Sequence, residues 1–182
     1  MARLDLRCPN WSVHLSGPGR VRACVPGQDR CRPRLGGRAV TALLTLVDAV
    51  ACIDRGVAKA RELGFLVAIA VVDDAGHLVA CHRMDGALWV TPEIARAKAN
   101  AAAAFRASTH DLETRFGGAR QLFAANVAAL DSYQFVFGRG AVPLVSDGHP
   151  IGAVGVSGAV PAENDHLIAD AAAGHPTIPD SH

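Results

Sequence analysis

The 182-residue chain is half apolar, yet it contains no run of eighteen residues free of charges or strong breakers. A membrane-spanning helix is therefore not expected. Its five cysteines, Cys8, Cys24, Cys31, Cys52 and Cys81, include no C-x-x-C and are odd in number. Neither a thiolate metal framework nor a closed disulfide set follows from them. The H-E-x-x-H of a zinc helix and the G-x-x-x-x-G-K-[ST] of a phosphate loop are both absent. Gly155-Val156-Ser157-Gly158 falls one spacer short of a nucleophile elbow, so Ser157 reads as a hydrogen-bonded strand-end residue. No secretory apolar run and no Arg-Arg pair mark the first residues, which makes the cytoplasm the expected compartment. There is no internal repeat.

What is present is unevenly distributed. Residues 1–38 hold eight arginines against two acids, Asp5 and Asp29, a net +6. The remaining 144 residues carry −5. The first segment is rich in Pro, Gly and Arg and has neither helical nor alternating period, so it is expected to be disordered or loosely attached. Two alternatives stay open: a basic arm for nucleic acid or acidic lipid, or residues outside the natural product, with translation starting nearer Val40. Residues 39–182 form the expected single domain. For that domain nucleic acid and membrane are not the expected partners.

Thr45-Leu46-Val47-Asp48 is a capping box, and apolar residues then recur at Leu46, Ala49, Val50, Ile53, Val57, Ala60 and Leu63 before Gly64. This predicts a helix from Leu46 to Leu63, stopped by a left-handed glycine. Leu66 to Asp74 is a β-branched run that fits a strand buried on both faces. Ala75-Gly76 turns the chain into HLVACHRM, completing a hairpin. Thr91-Pro92-Glu93 opens an alanine-rich helix running to about Ala107, interrupted by Lys98 and Asn100. A short helix from Ser108 or Thr109 is broken at Gly117-Gly118, and QLFAANVAAL suggests another. YQFVF, GRGAVPLV and PIGAVGVSG are predicted strands, the second with an edge-type proline. A last helix begins near Pro161. Strands joined by tight turns, with helices packed on them, imply an antiparallel α+β fold.

Residue chemistry leaves alternatives at each candidate site. Arg83 and Asp85 either pair at the surface or, with Lys98, anchor an anion, to which the guanidinium fork of Arg83 is suited. The glycines at 152, 155 and 158 admit either a packed helix or a ligand against the strand. Among seven histidines after residue 38, His77, His82 and His166 stand out, the first two flanking the hairpin strand and the third early in the last helix.

Taken together, AIAVVDDAGHLVACHRMDGA, PEIARAKANAAAAFRAST and VPLVSDGHPIGAVGVSGA resemble, in order and spacing, the GlcG/HbpS haem-binding family. That family includes the C-terminal domain of PduO-type cobalamin adenosyltransferases. The likeness runs from about Leu46 to Gly174. It implies profilin-like α/β/α layers around a five-stranded antiparallel sheet, self-association into homo-oligomers, and a haem or tetrapyrrole ligand. Matching the family's motifs, the implied binding residues are Arg83, Met84, Asp85 and Gly86, then Lys98, Phe105 and Thr109, then Gly155 and Ser157, with Asp165 as the acid of the last helix. His77, His82 and His166 are the candidate iron ligands. The sequence departs from the family at Asn100-Ala101, where threonine is common, and at Ala141, where glycine is usual. No histidine lies between Thr45 and Gly64, where some haem-binding relatives supply one.

Three functions are weighed. The first is haem or tetrapyrrole binding, with Arg83 and Lys98 at the propionates and Met84, Phe105 and the glycine strand lining the slot. The second is a small isomerase, hydratase or hydrolase acting on an organic acid, with Asp85, Asp165 or a histidine moving protons. The third is a ligand-sensing or assembly module without chemistry.

Overall fold

The computed structural model of the protein describes residues 43–130 and 133–174. The arm expected at 1–38, and His175 and His182, lie outside the described residues. Those described fall within one compact unit, Val40–His182. The elements are α1 (Leu46–Leu63), β1 (Ala68–Asp73), β2 (Leu78–Arg83), α2 (Thr91–Phe105), α3 (Thr109–Gly117), α4 (Gln121–Ala128), β3 (Ala141–Ser146), β4 (His149–Ser157) and α5 (Ala162–Ala173). All strand neighbours are antiparallel, in the order β2-β1-β4-β3.

Local chemistry accounts for the element boundaries. The Thr45 hydroxyl accepts from the Asp48 amide, and the Asp48 carboxylate accepts from the Thr45 amide at 3.1 Å. This is the predicted capping box, and Gly64 ends the helix in the left-handed conformation. The buried stripe of α1 runs through Ala49, Cys52, Ile53, Gly56 and Ala60. Leu46, expected on that stripe, is exposed. Ser108 caps α3 by accepting from the Asp111 amide.

The sheet separates two helical layers. On one face Ile69, Val71, Val154 and Val156 pack with Ile53 of α1 and Ile168 of α5. On the other, Ala68, Ala70, Val72 and Ala153 meet Ala95, Ala99 and Ala102 of α2. Each fully buried Ile or Val contributes about 1.5–3 kcal/mol of transfer free energy. β1 is buried on both faces, as its unbroken apolar run predicts. The small residues of the second face set the helix–sheet distance. A Cβ on Gly155 would collide with the Ala95 carbonyl oxygen and sit 2.8 Å from the Ala99 amide. A helix, then, is what presses on the glycine strand at this position.

Four strands are found among the described residues, not the five expected. The difference is YQFVF. The Val136 amide donates to the Ala97 carbonyl of α2 at 3.2 Å instead of entering a ladder. Phe135 and Phe137 lie edge-on to Phe105, with centroids 6.4 and 5.7 Å away. Aromatic burial against α2 and α3 replaces strand pairing here. Pro143 sits in β3, an edge strand, where its missing N–H is tolerated.

Candidate functional site

Arg83 ends β2 opposite Ala68 of β1, and Ser157 ends β4 opposite the same Ala68. Directly paired residues share a face of the sheet, so Arg83 and Ser157 flank Ala68 on its α2 side. His82 and Met84, of opposite parity, belong to the α1 side. Beyond the strand the Met84 amide donates to the Val67 carbonyl at 3.0 Å, and the Ala87 amide to the Met84 carbonyl at 3.1 Å. Arg83 Nη1 reaches the Ala87 carbonyl at 3.4 Å. Gly86 takes φ +86° within this turn.

The turn forms one wall of an open cleft of about 310 Å³. Its lining is Val57 and Arg61 from α1 with His82, Arg83, Met84 and Asp85 from the end of β2. Two arginines against one aspartate give the cleft a cationic balance, and arginine's planar fork suits carboxylates. Met84 adds a half-buried thioether and His82 an imidazole. Arg83-Met84-Asp85 therefore forms the rim of a cleft, and His82 is the one candidate iron ligand of the three that lines it.

Lys98 does not line this cleft. Its Nζ donates to Asp165 Oδ2 at 2.7 Å and to the Val156 carbonyl at 3.2 Å. The two side chains are only 7% and 5% exposed. Asp165 Oδ1 accepts from the Ala159 amide at 2.9 Å. Burial pushes the Asp165 carboxyl above its usual range, against the opposing pull of Lys98 and the Ala159 and Gly158 amides. The pair joins α2 to α5 at the end of β4, so each charge is engaged by the other.

The remaining candidates are placed apart from the cleft. Thr109 is fully buried; its hydroxyl donates to the Ala141 carbonyl at 3.3 Å and accepts from the Ala141 amide at 2.9 Å. Phe105 packs edge-on against Phe116, with centroids 5.4 Å apart. His77 is exposed, with Nδ1 3.2 Å from Asp73 Oδ2. His166 Nε2 lies 3.6 Å from Asp170 Oδ2, and its ring is 5.4 Å from that of His110. Burial lowers the His166 pKa below its ordinary value, with Asp170 opposing. Among the described residues no group of three or more His, Cys, Asp or Glu is placed to hold a metal ion.

Sequence reasoning missed Arg61 and paired Arg83 with Lys98 instead. Val57 was on the predicted apolar stripe, and Arg61 follows it by one turn on the same face. That spacing was the available signal, but a cation in the last turn of a helix reads first as a dipole partner.

The model of the family described as haem degrading protein HbpS-like matches residues 44–174. The chain belongs to this family. The HbpS-like match takes in all five helices and all four strands of the described fold, together with the cleft and the Lys98–Asp165 pair. Protein GlcG of Escherichia coli strain K12 is 40% identical over 109 residues, 60% of this chain and 77% of that protein. An uncharacterized 15.0 kDa protein from the dhaT-dhaS intergenic region of Citrobacter freundii is 32% identical over 131 residues, 72% of this chain and 90% of that protein. Among solved structures, Klebsiella pneumoniae protein ORFY aligns with a TM-score of 0.67 at 27% identity, covering 75% of this chain and 93% of that one. A PduOC:heme complex aligns with a TM-score of 0.65 at 30% identity, covering 73% of this chain and 94% of that one. No described helix is long and apolar enough to cross a membrane.

Proposed function

We propose that this HbpS-like chain binds haem or a closely related tetrapyrrole at the cleft between α1 and the end of β2. The observation that carries this reading is that Arg61, His82, Arg83 and Met84 all line one open cleft of about 310 Å³. That volume lies at the lower end of small-molecule sites, about 300–1,000 Å³. It suits one edge of a macrocycle, with the rest emerging through the open side. Arg61 would hold one propionate from the α1 side, and Arg83, whose side chain leaves the strand end on the α2 side, would take the other by turning around the rim. His82 or Met84 would face the metal, both being known types of axial ligand. Bound haem would supply the iron's coordination and redox chemistry. The chain's own share is to bind the carboxylates, orient the ring and shield the side against Val57. The PduOC:heme complex supports the reading by analogy, since that relative's structure contains the ligand.

Removing one charge-assisted hydrogen bond costs about 1.5–3 kcal/mol, roughly 10- to 100-fold in affinity. The test is a titration of haem into purified protein, following the Soret band, in wild type and in His82→Ala and Met84→Ala. A saturable band whose position shifts in one of the two variants supports the reading. A band indistinguishable from free haem would end it.

A second reading is favoured by Asp85, which shares the rim with both arginines. In it a small organic acid is held by Arg61 and Arg83 while Asp85 moves a proton. Carboxylate turnover lost in both Arg83→Ala and Asp85→Asn, in protein with no Soret response, would select this enzyme reading. Self-association accompanies either reading, and exposed Leu88 and Trp89 beside the cleft's turn offer apolar surface for it. Light scattering reads that directly.

A further inference from the structure

A second, smaller cavity lies where the β1–β2 turn faces α2 and the segment from Tyr133 to Phe135. It measures about 80 Å³ and is lined by Asp74, Ala75, Gly76, Asn100, Ala104, Tyr133 and Phe135, none of which lines the cationic cleft. We propose that it binds a primary ammonium group carried on a short alkyl chain.

Asn100 is the decisive residue of this cavity. It interrupts an otherwise alanine-rich helix face and is only 4% exposed. Its Nδ2 donates to the Gln134 carbonyl at 3.3 Å, which fixes the orientation of the amide. Oδ1 therefore points the other way, where it has no hydrogen-bond partner among the described residues. It faces Gly76, where an added Cβ would come within 3.5 Å of Oδ1 and 3.2 Å of the Tyr133 ring. Gly76 also holds φ +83°, so both the turn and the open space require glycine there. A buried acceptor left unmatched is costly, so the cavity is set up for a donor.

The other lining groups narrow the donor's chemistry. Asp74 is the one charged residue in the lining and contributes a carboxylate. Tyr133 and Phe135 contribute aromatic rings, which attract cations over their faces. An ammonium has three N–H donors and no acceptor, complementary to an amide oxygen, a carboxylate and a ring. Ala104 leaves space for a short apolar stub. Water occupies about 30 Å³ in the liquid, so the cavity takes a ligand of two or three such volumes and excludes a macrocycle.

Tyr133 is the chain's one tyrosine, so a tyrosine-ring label reports on this cavity alone. The experiment titrates ethylammonium chloride into the full chain carrying ¹³C-labelled tyrosine rings, with ethanol as the neutral control. The expected result is a saturable Tyr133 shift with a dissociation constant in about the millimolar range, the ceiling for a ligand of three heavy atoms. Ethanol binds at least about tenfold more weakly, Asp74→Asn weakens ethylammonium by a similar factor, and Asn100→Leu abolishes the shift. Melting curves confirm that each variant is folded. If Asn100→Leu does not fold, the exposed-rim variant Asp74→Asn decides. No saturable shift, an equal response to ethanol, or unaltered binding in the folded variants overturns the proposal.

Discussion

Replacing Lys98 with methionine keeps most of the side chain's length and apolar bulk while removing its ammonium. In the folded protein this leaves Asp165, 4% exposed, with the Ala159 amide as a donor and without its 2.7 Å ion pair. It also removes the 3.2 Å donor to the Val156 carbonyl. Leaving one member of a buried pair uncompensated costs about 3–5 kcal/mol, a large share of the roughly 5–15 kcal/mol that stabilises a typical domain. The Lys98→Met/Asp165→Leu double variant no longer buries a lone charge. What it still lacks is an acceptor for the Ala159 amide and the Lys98 donor to the Val156 carbonyl. Its deficit should be about 1–3 kcal/mol for each group left unmatched, below that of the single variant. Urea unfolding of the four proteins in this cycle measures both numbers.

The pH dependence follows from the same groups. Burial already raises the Asp165 carboxyl above 3.8, and loss of Lys98 raises it further. A carboxyl with a folded pKa above its unfolded one holds extra protons in the folded state between the two values. Asp165's contribution to the stability of Lys98→Met is therefore fully present below 3.8 and is lost as pH rises through the folded pKa. The gap from wild type should narrow as the pH is lowered from neutrality toward 5. A single-variant loss under about 1 kcal/mol, or a double variant no more stable than the single, would refute the account of the pair as a brace.

Three further outcomes are expected. Gly155→Ala drives a Cβ into the Ala95 carbonyl and should cost about 1–3 kcal/mol in urea unfolding, whereas the exposed Gly118→Ala should be near neutral. Thr109→Val removes both hydrogen bonds to Ala141 and should cost about 1–3 kcal/mol, read by the same denaturation. His166, whose pKa burial lowers below 6.5, faces Asp170, His110, Arg139 and Asp111. Its folded state binds fewer protons than the unfolded one, so stability falls as pH drops through 6.5 toward the folded pKa. Melting temperatures followed from about pH 7.5 to about pH 5.5 should show this fall, blunted in His166→Leu, and an equal fall in that variant contradicts the assignment.

Much of the fold was legible because its signals are local. The Thr45 cap, the Gly64 stop and the unbroken run of β1 each report on a few neighbouring residues. YQFVF was misread because its aromatic residues at every second position, Tyr133, Phe135 and Phe137, fit both a strand and an aromatic pad on a helix. Only the tertiary positions of Phe105 and Phe116 distinguish the two. The site divides the same way. Arg83, Met84 and Asp85 are contiguous and were found together, and the cleft does contain them. Lys98 and Asp165 are 67 residues apart, so their mutual engagement was invisible and both were read as free to meet a ligand. Arg61 was passed over because its one-turn spacing from Val57 shows a shared helix face but not that this face meets the end of β2.

The central claim is that the arginines of the cleft recognise the carboxylates of a tetrapyrrole. The most direct measurement compares haem with its dimethyl ester, whose propionates carry no charge, by quenching of tryptophan fluorescence in a Trp11→Phe background, which leaves Trp89 beside the cleft's turn as the emitter. The account predicts that esterification weakens binding at least about tenfold in the wild type and has little effect in Arg61→Ala/Arg83→Ala. Equal affinity of the two ligands for the wild-type protein would contradict it.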